Sequence, residues 1–201
     1  MSLIKQHPLI LIFNALYLTI GGLYFLRDLN HEFVIYVLVI VGLLGVMFAV
    51  QRYTQFPAWM LWLFSFWGLL HVLGGAIETR DGVLFAYRIY PFLDYGGDFY
   101  VLKYDQVVHA YLYGVFAVMY YHLLRSMLGI RGYPFAVWFF AILASLGFSA
   151  LNEIMEFLIA ISLERNGVGG YENAMLDLIF NLSGALIGLS LYRLLAFSQK
   201  E

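Results

Sequence analysis

Apolar residues along the chain gather into six long runs, residues 8–26, 33–50, 57–77, 105–124, 134–161 and 174–197, separated by short polar breaks. A run of roughly 20 apolar residues crosses the hydrocarbon core of a bilayer as a helix, so the pattern predicts an all-α polytopic membrane helix bundle of about six transmembrane helices in one domain. Three runs open at Pro8, Pro57 and Pro134. Proline is tolerated in a first helical turn, where its missing N–H has no intrahelical partner to lose, and these residues therefore mark helix starts. The break at residues 78–104 is longer than the others. Tyr87, Tyr90, Phe92, Tyr95, Phe99, Tyr100 and Tyr104 alternate there with Arg80, Arg88, Asp94, Asp98 and Lys103. Rings with polar tips prefer the headgroup layer, which predicts an interfacial segment, either a lid or a plain connector.

Composition strengthens this picture and narrows the chemistry. Hydrophobic residues make up 63% of the 201 and charged residues only 12%, about half the charged share of soluble domains. A net charge of −2 without a basic run argues against a nucleic-acid partner and leaves membrane lipid as the expected one. Cysteine is absent, which excludes thiolate chemistry, disulfides and Cys-type zinc sites, so a metal would need His, carboxylate or amide ligands. The first run follows Lys5 and is too long for a signal-peptide core, which predicts a retained helix. With six spans the termini share a side that holds Lys5, Arg52, Arg125, Arg131, Arg193 and Lys200. The other side holds Arg27, Arg80, Arg88, Lys103 and Arg165, in longer segments. The denser basic side is expected to be cytoplasmic, in the cytoplasmic (inner) membrane of a prokaryote.

Charge within the runs is the informative exception. Asp105, Glu153, Glu156 and Asp177 lie inside them, as do His71 and His109, and an ionisable residue at membrane depth is costly unless paired. His71 falls near the far end of the third run, and Asp105 and His109 at the start of the fourth. Asn152, Glu153 and Glu156 come late in the fifth, and Asp177 and Asn181 open the sixth. Alternating helix direction puts all of them toward the face opposite the termini. Residues three or four apart share a helix face, as Asp105 and His109, Asn152 and Glu156, Glu153 and Glu156, and Asp177 and Asn181 do. Asp105 and Asp177 also fall where a carboxylate serves as an N-terminal cap. Glu153 and Glu156 have the alternative of reaching the interface, and each histidine that of bonding a backbone carbonyl. His7, His31 and His122 lie near loops or termini and receive no role. Gly74, Gly75, Gly114, Ser183, Gly184, Ala185 and Gly188 accompany the polar positions, small residues that allow helix backbones to approach in lipid.

The order His71-x-x-Gly74-Gly75, Tyr104-Asp105-x-x-x-His109, Asn152-Glu153-x-x-Glu156-Phe157 and Asp177-x-x-x-Asn181-x-x-Gly184-Ala185 resembles the YjdF-like bacterial inner-membrane proteins and, more distantly, the VanZ-like family. The likeness covers Trp67 to Gly188. The YjdF-like pattern carries an acid where this chain has Asn173, and an aromatic residue where it has Ala110. The VanZ-like resemblance implies a link to envelope biology, and neither resemblance implies a reaction.

Three functions remain open on the residues. His71, Asp105, His109, Glu153, Glu156 and Asp177 have the donor types of carboxylate-rich metal sites in helical bundles, for zinc or iron, with Asn152 and Asn181 as supporting polar groups. Such a site would make the chain a metal-dependent membrane hydrolase acting on a lipid or lipid-linked substrate. Glu153 or Glu156 would be the catalytic base, and Asp105 would orient His109. A proton-coupled transporter is the second reading, although Asn14 and Thr19 are the main polar residues of the inner half of the spans. Non-catalytic binding of a headgroup or a partner is the third.

Overall fold

A computed structural model describes residues 7–97, 99–163, 167 and 169–198, with the side chains of 196–198 excepted. Lys5, Asp98, Arg165 and Lys200, which enter the charge pattern above, lie outside the described residues. The chain forms two compact units, Met1–Arg88 and Ile89–Glu201.

The first unit contains α1 (Pro8–Arg27), α2 (His31–Thr54), α3 (Ala58–Ala76), a small antiparallel hairpin of β1 (Glu78–Thr79) and β2 (Gly82–Val83), and a 3-10 turn at Leu84–Ala86. Pro8 occupies the first turn of α1, as its missing N–H allows. Asn30 caps α2 by accepting from the Phe33 N–H at 3.3 Å, while Gln55 ends that helix in the left-handed region, at φ 50°. The side-chain amide of Gln51 donates to the Phe56 carbonyl at 2.7 Å, satisfying a group in the α2–α3 turn. α1 and α3 are joined by a buried polar contact: Asn14 donates to Ser65 Oγ at 2.7 Å and accepts from the Tyr17 hydroxyl at 2.8 Å. The opposite side of α1 carries Leu9, Ile12, Leu16, Ile20 and Leu23, all exposed and three or four residues apart. An apolar outer stripe over a polar-linked interior is the arrangement that lipid as solvent favours.

The second unit contains a hairpin of β3 (Asp94–Gly96) and β4 (Phe99–Tyr100), then α4 (Tyr104–His122), α5 (Pro134–Ser162) and α6 (Tyr171–Ser198). α4 runs on through a π turn at Leu123–Met127 and is stopped by Gly129 at φ 65°. α4 and α6 cross at backbone contact. A Cβ added to Gly184 would collide with the carbonyl of Ala110, and one added to Gly188 would lie 2.7 Å from the Cα of Gly114.

All six helices are long and apolar enough to cross a membrane. The six predicted runs coincide with them to within a few residues at each end. The segment read as an interfacial lid or connector carries two short hairpins. One expectation changes. α6 begins at Tyr171 rather than 174, which places Asp177 nearly two turns inside the helix, beyond the reach of the free N–H groups of its first turn. The capping alternative for Asp177 is therefore overturned.

Candidate functional site

Four carboxylates of the second unit face one imidazole. Asp105 Oδ1 stands 3.5 Å from His109 Nε2, Glu156 Oε1 lies 3.8 Å from the same nitrogen, and Glu153 Oε1 lies 3.8 Å from Nδ1. Asp105, His109 and Asp177 each offer a ligand atom within 4.8 Å of the others. These separations exceed hydrogen-bond length and describe acidic side chains spaced around a ring.

Helix geometry accounts for the convergence. Asp105 and His109 share a face of α4, Glu153 and Glu156 share one of α5, and Asp177 sits one turn before Asn181 on α6. The glycine crossing one to two turns deeper brings the backbones of α4 and α6 together and so brings Asp177 to His109. α5 has 29 residues and is about 43 Å long, against a hydrocarbon core of roughly 30 Å. Glu156 lies six residues before its C-terminal end, about 9 Å along the axis, so a span centred on the hydrocarbon core would carry the glutamates near its boundary with the headgroups. Burial is graded accordingly. Asp177 and Asn181 are wholly buried, whereas Asp105, Glu153 and Glu156 retain 22, 13 and 16% side-chain exposure. The cluster has a closed floor and an accessible rim.

The surrounding hydrogen bonds hold individual members in place. Asn152 donates to Glu156 Oε1 at 2.6 Å. Asn173 donates to Asp177 Oδ2 at 2.6 Å and accepts from Lys103 Nζ at 2.8 Å, so a lysine is joined to the buried aspartate through an amide. Gln106 secures the chain just before α4: its Oε1 accepts from the N–H groups of Leu102 and Lys103, and its Nε2 donates to the Tyr100 carbonyl. Asp105, in the first turn of α4, lies beside His109 one turn on. One turn below the glutamates, Asn181 Nδ2 donates to Ser149 Oγ at 2.7 Å, and Ser145 Oγ donates to the Tyr113 carbonyl at 2.8 Å.

What lacks a partner is as informative. His109 Nδ1, Glu153 Oε1, Asp177 Oδ1 and Asn181 Oδ1 are buried without a hydrogen-bond partner. Three of these are oxygens, two from carboxyl groups and one from an amide, and buried polar groups are seldom left in that condition. Four carboxylates around one imidazole, when ionised, carry an excess of negative charge that a low-dielectric interior accepts only with protons or a counter-charge. A divalent cation held by Asp105, His109 and Asp177 would answer both deficits. The 4.8 Å spread of ligand atoms compares with roughly 4–4.5 Å across an octahedral site with bonds of 2.0–2.2 Å, a contraction within the reach of side-chain rotation.

Of the residues named from sequence, Asp105, His109, Glu153, Glu156, Asp177, Asn152 and Asn181 belong to this cluster or adjoin it. His71 lies in the first unit, half-buried, with its ring 5.4 Å from Tyr36, 5.4 Å from Trp67 and 4.9 Å from Phe85. Sequence reasoning passed over Ser145, Ser149, Lys103 and Gln106. The serines were legible as a continuation of the i, i+4 stripe of Glu153, whereas Lys103 and Gln106 gain their roles from a turn that periodicity does not describe.

A family described as predicted membrane protein (DUF2238) matches residues 8–196, and the YjdF-like family that the motifs resemble is this one. No curated protein and no solved structure matches the chain.

Proposed function

The chain belongs to the DUF2238 family of membrane proteins, and from that premise we propose that it is a metal-dependent membrane hydrolase. Its divalent ion is held by Asp105, His109 and Asp177 at the hydrocarbon–headgroup boundary. The observation that carries this reading is the set of buried acceptors without donors around His109. A cation held there would supply Lewis-acid activation of water. Glu153, whose Oε1 is buried without a partner 3.8 Å from His109, would take the proton, with Glu156 steadied beside it by Asn152. The accessible rim suits an ester or phosphoester of a lipid or lipid-linked headgroup. In a prokaryotic cytoplasmic membrane with cytoplasmic termini, that substrate belongs to the outer leaflet, and the VanZ-like resemblance points in the same envelope direction.

Elemental analysis of detergent-purified protein tests the reading. Stoichiometric zinc, iron or manganese, lost in His109→Ala and in Asp177→Asn, is expected. Metal-free protein that keeps its thermal stability on chelation overturns it. His71→Ala serves as the comparison: metal loss there would add His71 to the ligand set. Proton flux in proteoliposomes that Glu156→Gln abolishes would replace the hydrolase by the transporter.

A further inference from the structure

We infer that Asn181 is itself a ligand, through its amide oxygen, and that it adapts the site to a six-coordinate, oxygen-preferring divalent ion of the manganese(II) or iron(II) kind rather than to tetrahedral zinc. The inference rests on the proposed metal site and specifies what occupies it.

Three observations support it. Asn181 is wholly buried, its Nδ2 is committed to Ser149 at 2.7 Å, and its Oδ1 has no hydrogen-bond partner. With Nδ2 on Ser149 of α5, the oxygen is turned away from that serine. Side chains on a helix lean toward its N-terminus, so Asn181 leans toward Asp177, one turn earlier on the same face. Asn181 and Asp177 share a face of α6 one turn apart, and the Oδ1 of each is buried without a donor.

Ligand chemistry then discriminates among ions. Structural and catalytic zinc takes three or four ligands, mainly nitrogen and sulfur, and Asp105, His109 and Asp177 already supply three. Carboxylate and carbonyl oxygens in six-coordinate array suit manganese and similar ions. Asp105, Asp177, the Asn181 amide oxygen and one His109 nitrogen make four donors, three of them oxygen, and leave two positions of a six-coordinate array for water. Absolute affinity does not report this preference, because the divalent series favours zinc over manganese at most nitrogen and oxygen sites. The effect of removing one oxygen does report it.

Full-length protein in detergent is titrated with Mn2+, followed by electron paramagnetic resonance, and separately with Zn2+, for the wild type, Asn181→Leu and Asn181→Asp. Asn181→Leu keeps the volume without the oxygen and is expected to weaken Mn2+ at least about tenfold, while Zn2+ affinity changes less than about threefold. Asn181→Asp restores an oxygen and is expected to hold Mn2+ at least as tightly as the wild type. Equal losses for the two ions, or no loss for either, would overturn the inference and assign the amide oxygen to an ordered water, with the metal site intact. Wild-type protein that binds neither ion overturns the metal site as well. Should Asn181→Leu fail to fold, Asn181→Asp decides: Mn2+ binding weakened tenfold there rules the oxygen out.

Discussion

Asp177 shows how much one residue depends on its surroundings. It is wholly buried, one carboxylate oxygen is taken by Asn173, and the other faces the cluster without a donor. Asn173 in turn is held by Lys103, so a full positive charge bears on Asp177 through a neutral amide. Removing that amide frees the carboxylate to rotate and leaves its Oδ2 unsatisfied. Asn173→Leu is expected to lower metal affinity roughly 10- to 100-fold, the range found when groups orienting metal ligands are removed. Isothermal titration of wild type and variant checks this, and affinity unchanged within twofold would mean that α6 alone orients Asp177. The residue was visible in the sequence only as a departure from a family pattern. Its use became apparent once Lys103, seventy positions away, was found on its other side.

At the level of elements, the contact that assembles the site is the glycine crossing of α4 and α6. Gly184 faces the Ala110 carbonyl, and Gly188 and Gly114 meet backbone to backbone. In lipid, where burial of apolar surface gives little drive for association, such close packing is what holds helices together. A side chain at 184 has no room except by moving the helices apart. Gly184→Leu is expected to cost about 1–3 kcal/mol of stability and to lose the metal as well, because Asp177 rides on α6 and His109 on α4. A lowered thermal midpoint with metal retained would show that the cluster tolerates a displaced helix. The small-residue stripe was readable in the sequence, but its partner helix was not. Periodicity assigns a residue to a face and leaves open what that face meets.

For the molecule as a whole, cytoplasmic termini are what we propose from the distribution of Lys and Arg, and the proposal has a direct test. The chain contains no cysteine, so single introduced thiols report without background. Tyr95→Cys, in the exposed β3–β4 hairpin, is expected to react with a membrane-impermeant maleimide added to intact cells, and Arg131→Cys, between α4 and α5, only after the membrane is opened. The reverse pattern would put the termini outside and turn the site toward the cytoplasmic leaflet.

The sequence by itself determined the six spans, the helix starts at Pro8 and Pro134, and the helices that carry charge at depth. These follow from the length of apolar run a bilayer requires and from the backbone limits of proline, both local properties of the chain. The tertiary structure alone decided that four carboxylates surround His109, that Asp177 is buried floor rather than cap, and that Asn181 keeps an oxygen free. Those outcomes depend on how closely α4, α5 and α6 approach and on which donors each acceptor finds across the gap, and no spacing along one helix contains that information.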